Sequence, residues 1–296
     1  MTAAPDQPYA FVVGTGRCGS TLVQEILARH EQVGFVSNLD DRFGLTTGPR
    51  QLAAYRQFPD RFTEKGRARF APSEGYRALE REVSPLLADS VRDLRADDVT
   101  PWLAHRFRAF LDRRARAQSR PLFLHKFTGW PRVGFVSEVI PEARFVHIVR
   151  DGRAVANSWL QMSWWRGHLG PQNWHFGPLP DDLAALWRDS GRSFVVLAGL
   201  AWRLLMDAYD DAARALPADR WLELRYEDVL ADPAGCFHRM TGFLGLDWTP
   251  AFAAALGRTT FSPARSNAYV RDLGPEHTAA LDRALAEPLR RHGYLG

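Results

Sequence analysis

The stretch FVVGTGRCGSTLV near the N-terminus has the residue types and spacing of a phosphate-binding loop. An apolar strand runs into Gly14, and Gly19 follows at the spacing of the nucleotide-binding pattern G-x-x-x-x-G-K-[ST]. A threonine fills the last position, but Ser20 stands where that pattern has its lysine. Backbone N–H groups of such a turn and of the following helix N-terminus form a cradle for an anion. The sequence therefore predicts an anion site in which Arg17, inside the loop, supplies the missing positive charge.

Arg150 and Ser158 form a second candidate pair for binding phosphate. In IVRDGRAVANS, Arg150 ends a predicted strand and Ser158 lies eight residues on, two turns along the next predicted helix. Residues at the carboxyl edge of a parallel sheet face the ligand crevice. Arginine offers a bidentate fork to phosphate, and serine offers a hydroxyl. The alternative is that Arg150 pairs with Asp151 and Ser158 lies on an exposed helix face.

Lys126 is a candidate for chemistry because lysine is so rare in this chain. Of the 38 basic residues only Lys65 and Lys126 are lysines, and all the others are arginines. Lys126 lies in FLHKF, at the carboxyl end of a predicted apolar strand. The alternative is a structural lysine that pairs with a carboxylate.

The pattern of elements predicts an α/β fold, with a parallel sheet that carries helices on both faces. Residues 50–120 are arginine-rich and amphipathic and are predicted to be covering helices. The tryptophan-rich segment 159–187 is predicted to be an insertion or a lid on the substrate side. The chain, residues 1–296, is predicted to form a single domain. The predicted strands are residues 9–13, 121–127, 144–150 and 221–226.

Composition limits the classes of function. The net charge of +4 favours an anionic ligand but is too small to argue for nucleic acid. No run of about 18 apolar residues predicts a membrane span, and no signal region is recognised at the N-terminus. One of the two cysteines, Cys18, lies in the glycine loop and the other is Cys236, so we expect no structural disulfide and a cytoplasmic location. No metal-ligand spacing is found.

Taken together, GTGRCGST and the Arg-x7-Ser element resemble the P-loop type sulfotransferase family, especially its "RSGTT" branch of tyrosylprotein and many bacterial sulfotransferases. FVHIVRDGRAVANSW and LRYEDVLADP with FLGLDW are similar to that branch as well. The resemblance implies that the donor is 3′-phosphoadenosine 5′-phosphosulfate (PAPS) and that the product is adenosine 3′,5′-bisphosphate. It implies metal-independent transfer of a sulfuryl group to a hydroxyl of a small-molecule, glycan or lipid acceptor.

The same resemblance assigns the nucleotide-binding residues. The glycine loop GTGRCGST would hold the 5′-phosphosulfate of PAPS, and the element from Arg150 to Ser158 would hold its 3′-phosphate. A late loop, SPARSNAYVRDL, lies where the family closes over the 3′-phosphate, with Arg265 as the candidate and Arg271 as the alternative. The implied nucleotide-binding residues are Gly14, Thr15, Gly16, Arg17, Cys18, Gly19, Ser20, Thr21, Arg150, Ser158, Tyr226 and Arg265.

The resemblance also implies that Arg17 and Lys126 stabilise charge at the bridging oxygen of the donor. The family places a catalytic lysine some two dozen residues before the arginine that matches Arg150, and Lys126 fits that spacing.

The general base remains open between three residues. The "RSGTT" branch has a carboxylate about twenty residues after the loop arginine, where this chain has FVSNLDDR. Asp40 and Asp41 are the candidates there, while Asn38 stands at the position where a glutamate is expected. His125 is the third candidate, although strand alternation points it to the face opposite Lys126.

Four tryptophans could line a pocket for a sugar, an aromatic group or a lipid, and the alternative for each is core packing. These are Trp159, Trp164, Trp165 and Trp174.

Two other classes of protein compete with a sulfotransferase. A small-molecule kinase with a displaced lysine would use Asp151 to hold Mg²⁺, but Arg150 directly before it argues against this. A non-catalytic nucleotide-binding protein would keep the loop without chemistry, and Lys126 argues against that.

Overall fold

A computed structural model of the chain describes residues 8–57, 70–262 and 266–296. Its five strands form one sheet in the order β2-β3-β1-β4-β5, and all neighbouring strands are parallel. The predicted α/β class is therefore confirmed, although the short edge strand β2 was not predicted. The strands are β1 (Tyr9–Gly14), β2 (Val33–Phe35), β3 (Leu122–Thr128), β4 (Arg144–Val149) and β5 (Trp221–Arg225).

Helices connect the strands and cover the sheet. Several begin at residues with N-cap chemistry, as Ser37, Thr100 and Asp151 each accept a hydrogen bond from a backbone N–H of the first turn. Within the described ranges the α-helices are α1 (Ser20–Leu27), α2 (Asn38–Phe43), α3 (Pro49–Gln57), α4 (Tyr76–Glu82), α5 (Pro85–Ala88), α6 (Pro101–Gln118), α7 (Val133–Val139), α8 (Gly152–Leu160), α9 (Asp181–Asp189), α10 (Phe194–Ala215), α11 (Tyr226–Ala231), α12 (Pro233–Leu244), α13 (Pro250–Gly257), α14 (Ala268–Ala284, kinked at Gly274) and α15 (Ala286–Arg291).

Both faces of the sheet are buried under helices. Alternate residues of β1 enter different cores, because successive side chains of a strand point to opposite faces. Phe11 packs with Phe107 of α6 and Phe127 of β3 on one face, while Val12 packs with Ile26 of α1 on the other. The prediction of helices on both faces is thereby confirmed.

Strand register brings the candidate residues to one edge of the sheet. Val12 of β1 lies beside Lys126 of β3, and Gly14 lies beside Thr128. The N–H of Gly129 donates to the carbonyl of Gly14 over 3.1 Å, so the ends of the two strands are joined. Because all strands are parallel, the glycine loop, the end of β3 and Arg150 after β4 meet at the same carboxyl edge.

The two segments predicted as covering helices and as an insertion or a lid contain turns and irregular chain as well as helices. The range 50–120 contains α4, α5, α6 and most of α3, separated by turns, and residues 58–69 fall outside the described residues. The range 159–187 begins within α8 and then runs mostly as irregular chain to α9. Across the described residues, no helix is both long and apolar enough to cross a bilayer.

Candidate active site

The glycine loop curls around the start of α1. Gly19 adopts a φ of 96°, and a Cβ there would lie 2.1 Å from Cδ2 of Tyr226. Only glycine fits both this backbone conformation and this contact. Gly16 and Arg17 also have positive φ, at 79° and 57°. Successive residues in such conformations turn backbone N–H groups toward a common point, as an anion site requires.

Two arginines and a serine join the two predicted phosphate-binding elements. Nε of Arg17 donates to Oγ of Ser158 over 2.9 Å, and Nη1 of Arg150 donates to the carbonyl of Arg17 over 2.9 Å. The guanidinium of Arg150 also lies 5.0 Å from the ring centre of Tyr226. Arg17 and Arg150 are thus held at the loop by contacts between elements that are 133 residues apart in sequence.

Asp151 does not line the cavity above the glycine loop. Its carboxylate caps α8 by accepting from the backbone N–H of Arg153, and it forms an ion pair of 2.7 Å with the Arg153 guanidinium. A carboxylate engaged in this way is a poor ligand for Mg²⁺, and this geometry argues against the kinase alternative.

Lys126 reaches the loop from β3. Its ammonium donates to Oγ1 of Thr21 over 2.7 Å and lies 2.8 Å from Oε1 of Glu74. The Lys126 side chain is almost fully buried, whereas that of Glu74 is 31% exposed. An ammonium so placed is positioned to stabilise negative charge beside the loop.

Glu74 was missed by the sequence analysis. It lies in APSEGY, just before α4, in a region where no motif was recognised. The signal that could have drawn attention to it is the glycine that follows, since Gly75 has a φ of 70° and marks a tight approach of the chain to Val36.

Asp40 and Asp41, the aspartates expected as candidates for the general base, are both engaged by other residues and do not line the cavity. Asp40 is fully buried, and its two carboxylate oxygens accept from Nε and Nη2 of Arg114, each over 2.7 Å. The carboxylate of Asp41 accepts from the N–H of Ala78 and from Oγ of Ser73, each over 3.0 Å. Neither aspartate lines the cavity at the loop.

His125 is also remote from the loop. It packs against Phe11 and Phe110 on the face opposite Lys126, as strand alternation predicted. Burial, together with the charge of Arg114, lowers the pKa of His125 to about 3. A neutral histidine in an aromatic core has no route for exchanging a proton with a substrate at the loop.

A cavity of about 550 Å³ opens above the loop. Eight predicted nucleotide-binding residues line it, namely residues 15–17, residues 19–21, Arg150 and Tyr226. Gly14 and Cys18 lie beneath the loop, where a Cβ on Gly14 would collide with the Cys18 sulfur. Arg265 falls outside the described residues, and its alternative Arg271 is exposed and paired with Asp272 over 2.8 Å.

The sequence of this chain is similar to a known protein family. Residues 8–250 match the model of the sulfotransferase family. The chain belongs to the sulfotransferase family.

Relatives of this sulfotransferase-family chain come from mycobacteria. It is 29% identical over 167 residues to the omega-hydroxy-beta-dihydromenaquinone-9 sulfotransferase Stf3 of Mycobacterium bovis and of Mycobacterium tuberculosis. The match covers 55% of this chain and 38% of the relatives, so the chain spans well under half of their length.

Solved structures support the fold. The sulfotransferase STF9 from Mycobacterium avium superposes with a TM-score of 0.58 and 16% identity, over 98% of this chain and 77% of that one. The sulfotransferase STF1 from Mycobacterium tuberculosis gives 0.54 and 16%, over 95% and 77%. At these identities the likeness shows the fold alone.

The tryptophans of this sulfotransferase-family chain separate into two groups. Trp159 and Trp164 line the cavity, whereas Trp165 and Trp174 are buried in an apolar cluster and do not line it, which corrects the expectation for those two. Trp159 is fully buried and stacks on Phe176 at 5.5 Å.

The indole nitrogen of Trp159 points toward the loop. Its Nε1 lies 3.8 Å from the place where a Cβ on Gly16 would stand, and it has no hydrogen-bond partner among the residues that the structure describes. A buried N–H without a partner is costly, which makes a bound anion at the loop its natural acceptor.

Proposed function

We propose that this chain transfers a sulfuryl group from PAPS to a hydroxyl of a small-molecule, glycan or lipid acceptor, with adenosine 3′,5′-bisphosphate as the spent donor. One observation carries the proposal. Arg17 from the loop and Arg150 after β4 line one cavity, and the buried ammonium of Lys126 from β3 lies beside it, in contact with the lining residues Thr21 and Glu74. Three cations from three elements suit a donor with several anionic groups.

The donor fits the chemistry of this cavity. The glycines leave room for a close approach of phosphate oxygens, and the unpaired N–H of Trp159 adds a donor on the side of Gly16. The ring of Tyr226 packs on the loop beside Arg150 and offers a flat face next to the charged groups. These features support binding of the phosphosulfate at the loop and of a second phosphate near Arg150 and Ser158.

Lys126 and Arg17 are the residues we assign to charge stabilisation. When the sulfuryl group leaves, negative charge grows on the bridging oxygen of the donor. An ammonium or guanidinium that is already in place at that oxygen lowers the barrier, because the interaction is stronger in the transition state than in the ground state.

Glu74 is the residue we propose as general base. Its carboxylate lines the cavity and lies 2.8 Å from the Lys126 ammonium, beside the predicted path of the sulfuryl group. An attacking hydroxyl needs a proton acceptor within hydrogen-bond reach. Of the carboxylates considered for this role, Glu74 is the one that contacts Lys126, whereas the carboxylate of Asp40 is paired with Arg114.

The acceptor class is part of the proposal. The mycobacterial relatives are named for a hydroxyl-bearing dihydromenaquinone, which is a lipid-like acceptor. A hydroxyl is the group that Glu74 would deprotonate, so the same chemistry serves a small molecule, a glycan or a lipid.

Calorimetry with adenosine 3′,5′-bisphosphate, AMP and ADP tests the donor assignment. The bisphosphate should bind without Mg²⁺ and about ten- to a hundredfold more tightly than AMP, because a charge-assisted contact to the 3′-phosphate contributes roughly 1.5–3 kcal/mol. Arg150→Ala should remove most of that difference. Arg214→Ala removes an exposed arginine that does not line the cavity and serves as the control. Equal affinity of the native chain for AMP and the bisphosphate would reject the proposed function.

A further inference from the structure

The cavity continues beyond the phosphate loop toward α5 and the segment after β3. Two polar groups on this far wall lack a hydrogen-bond partner within the described part of the chain, namely Oγ of Ser90 and Nε1 of Trp130. The two residues are only 6% and 8% exposed. A buried donor or acceptor left unpaired costs about 1–3 kcal/mol, so a ligand that pairs with both groups would relieve that cost.

Aromatic rings frame the same end of the cavity. Trp164 is 47% exposed and Phe176 is buried, and both line the space between the loop and Trp130. The ring of His175 lies 4.1 Å from that of Phe176 and 6.2 Å from that of Trp164. Flat apolar faces with polar groups at their edges suit a ligand that is apolar on its faces and polar at its rim.

The charges at this end do not favour an anionic acceptor. The buried guanidinium of Arg132 uses its Nη groups on the backbone carbonyls of Thr128, Trp130 and Ala88. Asp89 is exposed and lines the cavity. Burial lowers the pKa of His175, so its ring is neutral at pH 7 and offers one donor and one acceptor.

We propose, resting on the sulfotransferase function above, that this far end is an acceptor subsite for a polyhydroxylated ring such as a sugar. Each hydroxyl of such a ring both donates and accepts, so several hydroxyls pair with Ser90, Trp130 and Asp89 together. A phenol or an alkyl chain would leave the indole N–H and the serine hydroxyl unpaired. An ammonium compound would satisfy Asp89 and leave the Trp130 N–H without an acceptor.

The reaction would form an O–S bond between one ring hydroxyl and the sulfur of PAPS. The bond from that sulfur to the bridging phosphate oxygen breaks, and the electron pair stays on the phosphate. The hydroxyl proton passes to the carboxylate of Glu74. The remaining ring hydroxyls stay bound on the far wall and fix which hydroxyl reacts.

Acceptor discrimination tests the subsite. The chain is supplied with PAPS and with methyl β-glucoside, phenol or 1-octanol, and release of adenosine 3′,5′-bisphosphate is measured. The glucoside should give a kcat/KM at least about tenfold above phenol and 1-octanol, because two or more additional hydrogen bonds form. Ser90→Ala and Trp130→Phe should each lower kcat/KM for the glucoside about two- to tenfold.

Matched controls separate recognition from folding. Trp165→Phe removes another buried, unpartnered indole N–H that lies outside the cavity, and kcat/KM for the glucoside should stay unchanged. Neither cavity variant should alter binding of the bisphosphate.

Four results bear against the subsite. Preference for phenol or 1-octanol would overturn it, and so would a glucoside rate that Ser90→Ala and Trp130→Phe leave unchanged. Failure of all three acceptors while the bisphosphate still binds would overturn the subsite but leave the donor assignment standing. Failure of the bisphosphate itself to bind would reject the proposed function and the subsite with it.

Discussion

Replacing Glu74 by Gln should separate chemistry from binding. The carboxylate lies 2.8 Å from the Lys126 ammonium and is partly exposed to the cavity, where an acceptor hydroxyl would approach. Glutamine keeps the shape and can still accept a hydrogen bond from Lys126, but it cannot take up the proton. Loss of a positioned base typically costs about 10²- to 10⁴-fold in rate, and we expect turnover to fall within that range.

Binding of the spent nucleotide should respond in the opposite sense. In the structure Glu74 shares the Lys126 ammonium with Thr21, so its negative charge competes with any anionic oxygen at the loop. Glu74→Gln removes that charge, and adenosine 3′,5′-bisphosphate should bind as tightly as before or more tightly. A variant that merely damaged the fold would lose both turnover and binding.

The assay is release of the bisphosphate from PAPS, with the best acceptor of the panel above, beside calorimetry with the bisphosphate alone. Glu80→Gln, on the exposed side of α4, is the matched control. Turnover within a few-fold of the native rate would refute Glu74 as the base. Lost nucleotide binding with lost turnover would make it a structural partner of Lys126.

Other changes test the remaining groups. Lys126→Ala should lower turnover about 10²- to 10³-fold and weaken bisphosphate binding far less, and Lys126→Arg should not restore the full rate because a planar fork replaces a point charge. Trp159→Phe keeps the aromatic stacking but removes the N–H at the loop, so PAPS should bind about two- to tenfold more weakly in calorimetry. Trp202 does not line the cavity, and Trp202→Phe should leave the affinity for PAPS unchanged. Although burial opposes the charged form, the carboxylates of Asp210 and Glu223, each 3.4 Å from a ring nitrogen, raise the pKa of His292 to about 9. The stabilisation from His292 is therefore complete below its unfolded pKa of about 6.5 and is lost as the pH rises through 9. Between pH 6 and 10 the thermal unfolding temperature of the native chain should fall more steeply than that of His292→Gln.

Each of these expectations can fail on its own. Unchanged turnover in Lys126→Ala would remove Lys126 from the site. An equal effect of Trp159→Phe and Trp202→Phe on PAPS affinity would mean that the indole N–H at the loop has no role. Parallel pH dependences of the native chain and His292→Gln would show that His292 does not gain a proton on folding.

That the glycine loop, Arg150 and Ser158 come together could be predicted because the information is local. The loop, the turn into α1 and the start of α8 each lie within a short run of consecutive residues, and the spacing of glycines or of Arg150 and Ser158 fixes the geometry. Strand alternation likewise placed His125 opposite Lys126. Such inferences need only the period of a strand or a helix.

The base and the acceptor side could not be predicted, because they depend on pairing across the fold. Asp40 looked available in sequence, but Arg114 is 74 residues away and occupies it. Glu74 lies in no recognised motif, and its candidacy depends on β3, which places Lys126 2.8 Å from its carboxylate. The short edge strand β2 was missed for the same reason, since three residues carry too little pattern and pairing with β3 defines them.

The missing lysine of the loop is replaced from another strand. In the usual pattern the cation precedes the final threonine, on the first turn of the helix. Here Ser20 holds that position and is buried, while the adjacent Thr21 accepts a hydrogen bond from Lys126 over 2.7 Å. The register between Val12 of β1 and Lys126 of β3 thus brings an ammonium to the region that the loop's own lysine would occupy. Because this charge depends on strand pairing, the sheet is part of the catalytic arrangement that we propose, in which Thr21 and Glu74 share the Lys126 ammonium.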